Sequence, residues 1–211
     1  TLSDREVRAS FAISWETLGS ELKNVFALLG LFGGGSFSAE AVAYVADLDP
    51  YLLEDRLYAL VTLSLLREES ATRYRQHPLL ADFAREQLGE GVAEEYGRFA
   101  TYCLHFAQKH QHNYDTLRPE WDNLMHAMSV AHQHQYWPIV LQFASALQDA
   151  WFTRGRFTQA RQGLAWALAA ARASQDTAAE ATILRHWGLA ALEQRDFEPA
   201  AQHLTQSTRL F

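Results

Sequence analysis

Through residues 1–90 the apolar positions fall into short helical stripes cut by glycine, proline and polar caps. Phe11, Trp15 and Leu18 form one stripe behind a capping Ser10. Leu22, Val25, Phe26 and Leu29 form a second, at i, i+3, i+4 and i+7, behind Ser20. Each stripe is one-sided and requires a packing partner. Gly33 to Ser36 reads as a flexible helix-to-helix loop, after which Ser38 opens a third helix with Val42, Val45 and Ala46 inward. Asp49, with Pro50 at the first helical position, opens a fourth whose inner face is Leu53, Leu57, Leu60 and Val61. The period then changes. Leu65–Glu68 and Arg73–Gln76 flank Glu69–Thr72 as a small hairpin, and His77-Pro78 starts a helix with Leu80, Phe83, Ala84 and Leu88. Helices followed by a hairpin predict a winged-helix domain over 1–90.

From residue 91 to 211 the pattern is helical throughout, with helices at about 92–112, 119–134, 137–153, 157–173, 177–194 and 197–210. Breaks fall at Arg118-Pro119, Pro138, Gly155, Ser174 and Asp196. Paired helices with short turns predict a solenoid, and a tetratricopeptide unit places a small residue late in its first helix against an Ala early in its second. Gly188 and Ala200 fit those places, with Leu204 one turn on. Gly155-Arg156-Phe157 stands 40 residues before Arg195-Asp196-Phe197, and Ala160 stands 40 before Ala200, so a divergent repeat precedes. The expected fold is mainly α: a winged helix with a small hairpin, then a tetratricopeptide-like solenoid over 91–211, joined around Gly89 and Gly91. First-helix positions Gln142, Ser145, Asp149, Arg185, Leu189 and Glu193 are expected to line the solenoid's inner groove.

Charge sharpens this division. Of 18 Lys plus Arg and 25 Asp plus Glu, residues 1–90 hold 8 and 14, whereas 91–211 hold 10 and 11. The third and fourth helices, where a winged helix would read DNA, carry Glu40, Asp47, Asp49, Glu54 and Asp55 against Arg56. Such surfaces repel phosphate, so direct nucleic-acid binding is not expected. No run approaches a membrane span and the start TLSDREVR lacks a signal-peptide pattern. One cysteine, Cys103, excludes an internal disulfide and agrees with a reducing, cytoplasmic setting. The chain begins at Thr1 and stops at Phe211 inside a helical pattern, so a portion of a longer protein is expected.

Candidate chemistry is sparse. There is no G-x-x-x-x-G-K-[ST], no G-x-S-x-G and no H-E-x-x-H, so no enzymatic activity is expected of this stretch, which holds no cofactor by itself. Gly33-Gly34-Gly35-Ser36 is a connecting loop or an anion-binding nest, the latter without a following cation. The pairs His110/His112 and His132/His134 are surface or interhelix residues, or metal ligands; i, i+2 spacing on a helix disfavours chelation. Trp121, Trp137, Trp151, Trp166 and Trp187 are core residues between hairpins, or a stacking surface. His77 precedes Pro78 at the positive end of a helix, where it caps the helix or donates to a phosphate.

The stretches SWETL (Ser14 to Leu18), FALLGLFGGGSFSAEAV, LYALVTLSLL and RYRQHPLLADFAREQL resemble the winged-helix domain of STAND regulators, the signal-transduction ATPases with numerous domains of NB-ARC type. Glu120-Trp121-Asp122-Asn123-Leu124 with Ala127, then FASALQDAWFTRGRFTQARQGL, resembles the helical arm and tetratricopeptide sensor of bacterial AfsR-like and maltose-regulator-like activators. The family has a Met-His-Asp motif at the start of the last winged-helix helix, whose His touches the β-phosphate of ADP and holds the protein closed. Gln76-His77-Pro78 occupies that place; the His matches and Pro78 replaces the Asp. The resemblance implies a regulatory fragment in which His77 senses nucleotide bound by an upstream domain docked in cis, with ADP or ATP held in the parent ATPase. It also implies that the solenoid receives a protein or small-molecule inducer. The alternative is a constitutive tetratricopeptide scaffold without a switch.

Overall fold

Residues 11–89 and 92–210 are described by the structure, a computed structural model; the expected cap Ser10 and junction residue Gly91 lie outside them. Helix α1 is described over 11–17, and α2 runs Ser20–Leu29. A 3-10 turn at Gly30–Phe32 leads to β1, Ser36–Ser38, then to α3, Ala39–Ala46, and α4, Pro50–Thr62. Strands β2, Arg67–Ser70, and β3, Arg73–Arg75, precede α5, Pro78–Glu86. The antiparallel sheet has the order β1-β3-β2. Three helices, a hairpin and a short first strand beside it make this a winged helix.

The local causes are legible. Ser38 Oγ accepts from Ala41 N at 3.2 Å, and Asp49 Oδ1 accepts from Tyr51 N and Leu52 N ahead of Pro50. Val25, Phe26, Leu29, Val42, Val45, Leu53, Leu57 and Leu60 are buried, each large side chain contributing about 1.5–3 kcal/mol. Two expectations need correction. Helix α2 is preceded by Gly19 with no side-chain cap bond, so Ser20 is its first residue and not its cap. The triple-glycine loop does not run from helix to helix but leads into β1, and it is closely packed: a Cβ on Gly34 would stand 3.2 Å from Pro78 Cα, and one on Gly35 would stand 3.1 Å from Asn123 Oδ1. That close approach delivers Ser36–Ser38 to β3, where Phe37 pairs with Tyr74, a strand that the loop reading had hidden.

After α5 come α6, Ala93–His110, the single turn α7, Tyr114–Leu117, and a 3-10 turn at Arg118–Glu120. Then follow α8, Trp121–Gln133, α9, Trp137–Thr153, α10, Phe157–Ala173, α11, Thr177–Glu193, and α12, Phe197–Leu210. The chain divides into two compact units: 1–102 with 119–126, and 103–118 with 127–211.

In the second unit α9 packs on α10, α10 on α11 and α11 on α12, the serial packing of a solenoid. A left-handed residue stands at 135, 155, 175 and 195, a fixed step of 20 residues, so the two-helix repeat is 40. The residue after each donates its N–H to the carbonyl five positions back, as Arg156 N does to Trp151 O at 2.8 Å and Asp196 N to Ala191 O at 2.9 Å. These are Schellman terminators. Gly188 does admit the partner helix: a Cβ there would meet Leu204 Cγ at 2.7 Å and Ala200 O at 3.2 Å. In the preceding hairpin the roles are exchanged, with the buried Trp151 ring of α9 resting where Gly163 of α10 lacks a side chain.

Candidate functional site

In the first unit, hairpin register builds a small charged corner in which Arg67 and Arg75 meet Glu68 and Glu69. Arg67 and Arg75 are directly paired across β2 and β3, an arrangement that costs stability unless an anion intervenes. Glu69 partly supplies one, since its carboxylate accepts from Arg75 Nε; that bond, then Ser36, holds its pKa below the ordinary carboxylate value of 4.5. His77 lies two residues beyond Arg75, and all three line a pocket of about 460 Å³ with Leu65, Leu66 and Leu80. His77 is exposed and is the N-cap of α5: its Nδ1 accepts from Leu79 N at 3.3 Å. An accepting Nδ1 places the neutral ring's proton on Nε2, so His77 keeps a donor to offer. Capping and donation are thus compatible. The arginines were missed in the sequence because only strand register sets them opposite each other.

Beneath this corner runs a buried polar network. Arg73 Nε donates to Ser36 Oγ at 3.1 Å, and its Nη1 pairs with Glu120. Asn123 Nδ2 donates to Ser36 O and to Glu120 Oε2, both at 2.7 Å. Glu120, Trp121 and Asn123 are buried, so the Glu-Trp-Asp-Asn stretch anchors residues 119–126 within the winged-helix unit. Gln76 is fully buried, and among the described residues neither atom of its amide has a hydrogen-bond partner.

In the second unit the six groove residues are all exposed, at i, i+3 and i+7 on α9 (Gln142, Ser145, Asp149) and at i, i+4 and i+8 on α11 (Arg185, Leu189, Glu193). Gln142 accepts from Gln108 Nε2 at 3.0 Å, and Asp149 stands 3.4 Å from His112 Nδ1. Ser145 lines a pocket of about 290 Å³ with Gln148, Thr182 and His186 over Leu141, Ala144 and Ile183. Burial lowers the His186 pKa, Arg185 adds to that, and Asp149 opposes it; α9 and α11 therefore share one electrostatic face. Leu189 and Glu193 line none of the pockets described. Gln148 and His186 stand one residue from the expected Asp149 and Arg185, and Thr182 one turn before Arg185; a face drawn with one position per turn leaves all three out.

The remaining candidates resolve individually. Trp121 and Trp151 are buried core residues; Trp137, Trp166 and Trp187 are half-buried, the last stacked on His203 with centroids 4.8 Å apart. His110 packs on Phe106, His132 on Trp137 and Trp166, and His134 on Tyr136. Among the described residues no group of three or more His, Cys, Asp or Glu is placed to hold a metal ion, and no helix is long and apolar enough to cross a membrane.

No family model matches the chain. It is 33% identical over 174 residues to a protein named as an HTH-type transcriptional regulator in Mycobacterium tuberculosis, covering 76% of this chain and 19% of that protein. Against regulatory protein AfsR of Streptomyces griseus the identity is 40% over 82 residues, 39% of this chain and 8% of that one. The chain thus spans about a fifth or less of the length of the curated relatives it matches. Among solved structures it is similar to a signal-transduction ATPase with numerous domains, bearing a tetratricopeptide repeat sensor, from Pyrococcus horikoshii: TM-score 0.45 and 18% identity over 95% of this chain and 33% of that chain.

Proposed function

We propose that this chain is the regulatory middle of a STAND-type signal-transduction ATPase. In this reading residues 1–90 form the winged helix that reads the nucleotide held by an upstream domain, and 91–211 form the arm and tetratricopeptide-like sensor for a protein or small-molecule inducer. ADP or ATP belongs to the parent protein. The observation that supports it most is the corner of His77, Arg67 and Arg75: an Nε2 donor at a helix N-terminus beside two arginines that face each other. Glu68 shares that pocket and Glu69 already holds Arg75, so a phosphate there would displace Glu69 from the arginine pair. The relatives' names, which describe regulators, agree with a regulatory role.

An inducer on the α9/α11 face would open the protein only by binding the open arrangement better than the ADP-closed one. The test is basal output of the full-length parent without inducer. His77→Ala raises it by about tenfold, the equivalent of one charge-assisted hydrogen bond, while Asp115→Asn leaves it unchanged. Equal output from wild type and His77→Ala contradicts the nucleotide reading and leaves the constitutive scaffold.

A further inference from the structure

The largest pocket described, about 930 Å³, lies in the first unit and shares no lining residue with the His77 corner. Its walls are α3, the turn into α4 and the first turns of α4, with Thr72 and Arg98 at its edge. Four carboxylates line it: Glu40, Asp47, Asp49 and Glu54. Only Asp49 is committed, as the α4 cap. Among the described residues no cation pairs with Glu40, Asp47 or Glu54. Arg98, the one cation among the described lining residues, is engaged by Val45 O at 2.8 Å and by Glu94 and Glu95, which leaves the carboxylates in excess.

Aromatic surface continues the pocket. Tyr44, 44% exposed, stands in the wall against Tyr102 with ring centroids 5.4 Å apart. Along α4, Tyr51, Glu54 and Tyr58 fall at i, i+3 and i+7, one face, and the two tyrosines are 81% and 72% exposed. Leaving two tyrosines in water beside uncompensated carboxylates has no stabilising purpose in the domain itself. It suits a guanidinium, which pairs bidentately with a carboxylate and stacks on an aromatic face. A phosphate-bearing partner, nucleic acid or lipid, is repelled.

We propose that the α3–α4 groove is a docking surface for an arginine-bearing segment of a partner protein, with guanidinium groups taken by Glu40, Asp47 and Glu54 and stacked on Tyr44, Tyr51 and Tyr58. This goes beyond the nucleotide reading and does not depend on it.

The test uses the whole 211-residue chain and a labelled short peptide of alternating arginine and alanine, followed by fluorescence anisotropy. Wild type binds saturably and loses affinity with added salt. The triple variant Glu40→Gln/Asp47→Asn/Glu54→Gln, all surface changes, weakens binding by about tenfold or more. Tyr51→Ala/Tyr58→Ala weakens it severalfold at unchanged charge. An equally discharged control, Asp115→Asn/Asp122→Asn/Glu198→Gln, binds as wild type does. No saturable binding, equal loss in both triple variants, a lysine peptide bound as tightly as the arginine one, or self-association that the peptide does not disturb each overturns the proposal.

Discussion

At the residue scale the most informative side chains are those whose surroundings leave one arrangement open. Gly163 is one: a Cβ would lie 2.4 Å from the fully buried Trp151 ring and 3.4 Å from Met128 Sδ. Gly163→Ala is expected to cost about 1–3 kcal/mol, read as a lower urea midpoint at unchanged slope. Breaking the Arg73–Glu120 pair with Glu120→Ala costs about 2 kcal/mol, since Arg73 and Asn123 each lose one acceptor in a partly buried site and keep only those on Ser36 and Pro119. Histidine sets the acid limit. Burial lowers the pKa of His126, helped by Arg85, and burial likewise lowers those of His186 and His203, from an ordinary 6.5. The folded chain therefore binds fewer protons than the unfolded one just below that value. Stability is fully present above pH 6.5 and falls as pH drops toward the folded pKa values. Thermal melts across this window should decline with acid, and His126→Gln should flatten the decline; an undiminished slope would mean that His126 is not its source.

Individual elements were legible wherever the signal was local. Asp49-Pro50 and His77-Pro78 start helices because each pairs a cap acceptor with a ring already set at helical φ. The ranges 137–153 and 157–173 follow from apolar period alone. Strand β1 was illegible because its partner is distant: Ser36 pairs with Arg75, with α3, α4 and β2 lying between them in the chain. The solenoid turns were legible as breaks at Gly155, Ser174 and Asp196, but not the left-handed conformation of Gln135, Gln175 and Arg195, which adopt φ near +60° without glycine. Such residues store about 1 kcal/mol of backbone strain each. Gln175→Gly is accordingly expected to raise stability by about 0.5–1 kcal/mol with no change in structure, measurable as a shift in melting temperature.

On the scale of the molecule, charge and chemistry are divided between two compact units. The first carries the acid, a corner of paired arginines and glutamates around His77 and an acidic, tyrosine-rich groove; the second carries the repeat and its α9/α11 face. The winged helix and solenoid could be read from periodicity and resemblance. The use to which the surfaces are put could not, because Arg67 opposite Arg75 and Asp149 beside His186 are products of tertiary pairing. The central claim is that His77 holds the phosphate of ADP bound by an upstream domain. Its most direct measurement is the rate at which ADP leaves the full-length parent, followed with a fluorescent ADP analogue chased by excess unlabelled ADP. Release is expected to be about tenfold faster from His77→Ala than from wild type, with part of the retention restored by the donor in His77→Gln. Identical release rates in wild type and His77→Ala would contradict it.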